Sequence, residues 1–413
     1  MHRYAITLTL ATLIFGLFLI REIALGTLAK VDDTFLDWLI ANSSTPPLPA
    51  PEVAVVELGD ATRERTLTPL EFSLFLNTIA PFSPAMVVAE PVLNWDPPQK
   101  EGEQMILQRV LTLPSFIAGC QLGSGPIPES DRGGLPDNFT VLRNYQGDVS
   151  KIPEFRTIAH QPFEELTLIG TRGLTENFPP NHIFRRYSLL YRYRGELTPS
   201  IVLQTVMLWL KLTPPEVTIF PGKSIHLGSS IQIPIDETGA MLLNRTLSGA
   251  IPRQSVDDLH YAAKLHQEGK PNELPLFAIQ KGITFFGKNC PFEAKPWQTQ
   301  SISMIHTLAT AVATIQTRLF IQTTSLSVSF IILGGLVLGI FFSAYLRKGI
   351  SLLLYTAGLT SYIICALSIF HLYRLWLPIA LPLLVLSFAG MIRLFFPNPK
   401  SGTAPSLTSE PTP

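Results

Sequence analysis

Four stretches without Asp, Glu, Lys or Arg set the terms for this chain: 17 residues between Arg3 and Arg21, 28 between Arg318 and Arg347, 25 between Lys348 and Arg374, and 18 between Arg374 and Arg393. A helix that crosses a bilayer needs about 17 to 25 predominantly apolar residues, so each run is long enough. The first run exceeds the apolar region of a signal peptide, about 7 to 15 residues, and no A-x-A site follows Ile20, so it reads as a retained anchor. The runs predict transmembrane helices at 4–20, 325–345, 349–370 and 375–396. Very short connections should fold the last three into one bundle. Residues 397–413, rich in Pro, Ser and Thr, are expected to be a disordered tail. Composition agrees, because 15% charged residues fall far below the quarter or so of a soluble domain.

Basic residues orient these runs. Arg3 precedes the first, Arg347 and Lys348 lie between the second and third, and Arg393 and Lys400 follow or close the last. Four spans place them all on one side, which the positive-inside rule assigns to the cytoplasm. The segment 21–324 then lies outside, in the periplasm of a bacterial inner membrane. It carries 25 basic and 30 acidic residues, and the rest of the chain 6 and 1, so the overall net charge of zero hides two opposite parts. No basic stripe marks a nucleic-acid partner. Cys120, Cys290 and Cys365 show no C-x-x-C spacing, which argues against a zinc site. A disulfide between Cys120 and Cys290 stays open, since the compartment permits one.

Within 21–324, short apolar runs alternate with stretches of helical spacing, the signature of an α/β domain. Strands are expected at Val53–Leu58, Met86–Val92 and Ser115–Cys120. Between them fall helices at Pro69–Ile79, with Thr68 as cap, and Glu103–Leu111. That βαβαβ order predicts a mainly parallel sheet. Gln121–Pro180, rich in Gly and Pro, reads as long loops. Beyond it come a strand or hairpin at Ile183–Tyr193, a helix at Ser200–Leu212, and short strands at Val217–Phe220, Ser224–Leu227, Ile231–Ile235 and Met241–Asn244. Asp236 to Gly239 should turn the last two into a hairpin. A helix at Val256–His266, a returning strand at Gly282–Phe286 and a helix at Gln300–Gln316 complete the domain.

Catalytic signatures are missing. No histidine pair has the spacing of a zinc-binding helix, no G-x-S-x-G elbow occurs, and Gly123-Ser-Gly125 lacks the rest of a phosphate loop. No cofactor or metal is implied, and the chain is not expected to be an enzyme. Ligands of open α/β sheets bind at the carboxyl ends of strands, which singles out Glu57 and Asp60 after the first strand and Glu90 and Asp96 at and beyond the second. These acids are either solvated structural groups or a pocket for a cation, an amine or a hydroxylated ligand. In the second apolar run, Gly335, Gly339 and Ser343 form a small-residue stripe suited to close helix packing, against a neighbouring span or across a homodimer. No ionisable step lies inside the last three runs, which disfavours transport.

One run, a large external segment and three closely spaced runs together resemble the second type of CHASE domain, a bacterial extracellular sensory module. Local matches are Val53–Leu58 with Glu57 and Asp60, Thr68-Pro69 before a helix, Val87–Val92 and Phe184-Arg185-Arg186. Further on they are Ile233-Pro-Ile-Asp236 with Gly239, Ile283–Gly287, and Ile305-His306 through Ala309. The family usually has Ile-Asp where this chain has Glu57-Leu58, and Trp-Pro where it has Thr68-Pro69. The resemblance implies a sensor of an unknown small-molecule or envelope signal. Family members carry a cytoplasmic effector, so the partner expected here is a separate kinase or cyclase. The alternatives are a membrane-tethered envelope enzyme and a structural module without ligand.

Overall fold

The structure is a computed structural model that describes residues 26–43, 50–58, 67–125, 139–176, 185–270, 278–288, 303–324, 326–343, 346 and 348–395. They fall into two compact units: residues 44–321 form one, and residues up to 43 join those from 322 onward in the other.

The first unit is mixed α/β around a mostly parallel sheet. Its main strands, numbered in chain order, are β1 (Val53–Leu58), β2 (Met86–Ala89), β3 (Phe116–Gly123), β4 (Thr157–His160), β5 (Thr171–Thr175), β6 (Arg253–Ser255) and β7 (Ile283–Lys288). They lie in the order β6-β1-β7-β2-β3, with β5 parallel to β3 and β4 antiparallel to it. Gln121 pairs with both Thr175 and His160, so β5 and β4 flank β3 on opposite edges. The strands of the βαβαβ run are therefore not all neighbours, because β7, from the far end of the domain, inserts between β1 and β2.

Apolar strand sequences bury both faces, as a parallel sheet requires. Val53, Val55, Val88, Ile117, Ile283 and Phe285 face one layer, and Ala54, Val56, Val87, Ala89 and Phe286 the other. The packing helices are α1 (Pro69–Ile79), α2 (Lys100–Val110), α3 (Ile201–Trp209), α4 (Val256–Gln267) and α5 (Met304–Thr317). Phe72 and Phe75 of α1, Ile106 of α2 and Leu259 of α4 fill the second layer. Helices α3 and α5 cover the first, with α5 buried from Ile305 to Ile315. Helix α1 starts where its caps dictate. The Thr68 hydroxyl accepts from Glu71 N–H, the Glu71 carboxylate accepts from Thr68 N–H at 3.0 Å, and Pro69 takes the first helical position.

Two expectations change. Residues 121–180, read as loops, contain β4, β5, the strand Glu154–Phe155 and the helix Glu164–Ile169; pairing with β3 and with Leu190–Tyr193 overrides their weak local preference. The strand Ala240–Leu242 does not close a hairpin with Ile231–Pro234 but pairs with Arg186–Ser188. The cause is Asp236. Its carboxylate accepts from Thr238 and Ala240 N–H, and from Arg186 at 2.6 Å, which steers the chain to Arg186's strand.

The second unit contains helices Thr27–Asn42, Leu326–Ser343, Lys348–Tyr373 and Ala380–Phe395, and a short parallel pairing of Gln322–Thr323 with Leu375–Trp376. Asp32 accepts from Ile379 N–H at 2.7 Å and Ala380 N–H at 2.8 Å, so the helix Thr27–Asn42 caps the last helix. Among the described residues one helix, Gly349–Tyr373, is long and apolar enough to cross a membrane; Ile331–Ile340 and Ala380–Leu394 are shorter apolar helices, and 4–20 lies outside the described residues. Four transmembrane helices are thus not supported. The second and last uncharged runs begin before their helices do: in the last, 375–379 goes to the strand pairing and the cap, and the helix Ala380–Phe395 has 16 residues, about 24 Å against a hydrocarbon core of about 30 Å. Nothing described lies within 4 Å of a Cβ built on Gly335 or Gly339, and the side chain of Ser343 is outside the described set. Within the chain that helix packs through Leu336 and Ile340, against Tyr355, Leu386 and Ala389.

Candidate functional site

The carboxyl edge of the sheet carries one row of residues running across its strands. Ser255 of β6 pairs with Glu57 of β1, and Glu57 with Gly287 of β7. One step beyond the last paired residues, Phe286 with Ala89 and Ala89 with Ala118, the row continues to Glu90 and Gly119, and Gly119 pairs with Gly173 of β5. Glu90 N–H donates to Phe286 C=O at 2.9 Å, which holds it in the ladder. Glu57 and Glu90 therefore share a row and a face, two strand spacings or about 10 Å apart at the backbone, with Gly287 between them.

The missing side chain at Gly287 is what makes room. A Cβ there would meet Ile305 Cδ1 at 2.9 Å and Glu90 Oε2 at 3.0 Å, so the Glu90 carboxyl lies over Gly287 beside the first turn of α5. Next to Ile305, His306 is 1% exposed, and its Nε2 lies 2.5 Å from Glu57 Oε1, whose side chain is 15% exposed. His306 Nδ1 is buried with no hydrogen-bond partner among the described residues. At Gly173 a Cβ would meet Ile201 Cγ1 at 2.4 Å, so the same row lets α3 approach the sheet.

Burial dominates the electrostatics. Glu90 as a residue is partly buried, its carboxyl is closely surrounded by protein, and desolvation pushes it up to about 7, partly offset by the Lys288 ammonium. Desolvation likewise drives the Tyr187 phenol up, with Glu176 and, more weakly, Glu90 adding through space; Tyr191 and Ser200 are its hydroxyl neighbours. On the other side of β3, burial raises the Cys120 thiol to about 12, offset in part by Arg172, whose guanidinium lies 4.9 Å from the Phe139 ring centre.

Of the four acids expected at strand ends, Glu57 and Glu90 come into one site. Asp96 is exposed, in a loop that Trp95 packs into the opposite layer through its bond to Leu67 C=O and its contact with Phe163. Asp60 lies outside the described residues, as does Cys290; Cys120 is buried and free. Sequence reasoning missed His306 and Gly287 as site residues. Among the described residues no three His, Cys, Asp or Glu side chains stand together as a metal ion would need. Comparison with protein-family models, curated proteins and solved structures finds no match to this chain.

Proposed function

We propose that the protein is a membrane-anchored sensory protein. In this reading the α/β unit lies outside the cytoplasm, takes a small ligand at the Glu57, Glu90 and His306 edge, and relays occupancy to a separate kinase or cyclase. The observation that carries it is α5. This helix begins at the site, with His306 on Glu57, and ends at Thr317, eight residues before the apolar helix Leu326–Ser343. A ligand that changes the Glu57–His306 contact therefore acts on the element that leads into the helical unit. Outward apolar side chains on the three C-terminal helices, among them Ile331, Leu338, Leu353, Ile364 and Met391, favour a bilayer around them, with the uncharged run 4–20 as a further anchor. The CHASE-like residue matches favour a sensor over an envelope enzyme.

The test is a small-molecule screen by thermal shift on the intact protein in nanodiscs. At least one compound should stabilise the wild type, with the gain lost in Glu57→Gln and His306→Gln. A screen in which nothing stabilises the protein, or in which both variants respond unchanged, would count against the reading.

A further inference from the structure

Resting on that reading of the site, we propose that its ligand carries a protonated primary amine and that Glu90 is the counter-ion. Glu90 is the one acid of the row left without a partner. Its carboxyl stands over Gly287 and makes no side-chain hydrogen bond among the described residues, and the residue as a whole is only partly buried. Glu57, two strands away, is occupied by His306 at 2.5 Å; in either protonation state of the ring that pair holds no surplus positive charge.

Among the described residues, the groups that face Glu90 supply no cation in contact. From β7, Lys288 acts on it through space, but its side chain is exposed and forms no ion pair with it. From α5 come Ile305 and, one residue on, the His306–Glu57 pair. From the segment before α3 comes the Tyr187 phenol, on which Glu176 acts as well. No cation among the described residues touches the Glu90 carboxyl, and a largely desolvated carboxylate without a counter-charge in contact is costly. An ammonium group offers one positive charge and three donors on a single atom, which answers both the charge and the bare acceptor. A divalent metal would need several oxygens at roughly 2.0 to 2.6 Å from one point, and Glu57 and Glu90 are held apart by the strand between them. A neutral alcohol would donate one hydrogen bond and leave the charge uncompensated.

Such a ligand selects the ionised carboxyl. With Glu90 held at about 7, the competent fraction rises about tenfold between pH 6 and pH 8, and the apparent Kd should fall about tenfold with it. Binding should release protons near pH 7.

The experiment is calorimetric titration of the full-length protein in phosphatidylcholine nanodiscs with methylamine, ethanolamine and putrescine, each against its neutral counterpart: methanol, ethylene glycol and 1,4-butanediol. The expected result is binding by at least one amine, about tenfold tighter at pH 8 than at pH 6, with proton release, no binding by the matching alcohol, and loss in Glu90→Gln. Hydrogen exchange at Val55 checks that this variant keeps its fold, which removal of a desolvated charge is expected to leave intact. Binding of an alcohol as tight as its amine overturns the amine inference while leaving a ligand site standing. Failure of all three amines overturns it too, with the separate thermal-shift screen deciding the broader reading. Amine binding that survives Glu90→Gln overturns the role of Glu90.

Discussion

Replacing Glu90 by Gln removes a single ionisable group from the row and should abolish the pH dependence that group imposes. The carboxyl is held up to about 7 against an ordinary 4.5, and desolvation is the main cause. Between those values the native state keeps a proton that the unfolded chain has released, so its contribution to stability is complete below pH 4.5 and is lost as pH rises through 7. At about 1.4 kcal/mol per unit, the whole window is worth about 3 kcal/mol, of which about 2 to 3 falls between pH 5 and pH 8. Glu90→Gln carries no such term. It should match the wild type within about 1 kcal/mol at pH 5 and exceed it by about 2 to 3 kcal/mol at pH 8. Because the protein has two units, a single melting curve is a poor measure. Amide exchange at Val55 and Phe285, in the ladder of β1 and β7, reads the α/β unit by itself, and comparing variant with wild type at each pH cancels the intrinsic exchange rate. The variant's protection should rise relative to wild type by a factor on the order of 50 to 100 from pH 5 to pH 8. An advantage of equal size at both pH values would refute the reasoning.

Gly287→Ala places a methyl against Ile305 Cδ1 and Glu90 Oε2; it should cost about 1 to 3 kcal/mol in the same exchange measurement, and Ile305→Val, which removes Cδ1, should recover part of that cost in a double-mutant cycle. Asp32→Ala leaves the Ile379 and Ala380 N–H groups without their acceptor; a loss of about 1 kcal/mol should appear as several-fold faster exchange at those amides, with Asp32→Asn close to wild type. The Cys120 thiol, buried and raised to about 12, should resist alkylation at pH 8 until the α/β unit is unfolded.

What could be read from the sequence is local. Thr68, Pro69 and Glu71 announce the start of α1 within four residues, and Val53 to Val56 are apolar on consecutive positions because both faces of β1 are covered. Glu57 and Glu90 were recognisable as strand-end acids for the same reason. Their relation was not, since it depends on β7 entering between β1 and β2 from some 200 residues downstream, which no spacing encodes. His306 looked like a helix residue in an apolar stretch; its partner is 249 residues away, and only the closed sheet reveals the pair. The run 349–373 matches its helix, but the last run misled about where its helix begins, because absence of charge marks what tolerates lipid, while that helix starts where Pro378, the Asp32 cap and the pairing of Leu375–Trp376 allow.

Two described contacts of α5 are directional: His306 with Glu57 at one end, and Gln316, whose Oε1 accepts from Glu52 N–H at 3.0 Å, at the other. The helix's buried face, from Ile305 to Ile315, packs on Val55, Phe285 and the α3 layer through apolar atoms, and such contacts are non-directional. The His306–Glu57 bond is directional and partly desolvated, so it discriminates between positions of the helix that the apolar surface tolerates about equally. His306→Leu should therefore cost about 1 to 3 kcal/mol, because Glu57 is left half-covered without its partner, whereas the double change Glu57→Leu with His306→Leu should regain most of that loss. If the pair is what reports occupancy to α5, the double variant keeps its fold but loses any ligand-induced change in exchange along 304–317. A double variant in which the ligand still alters those amides would show that occupancy reaches α5 through packing alone.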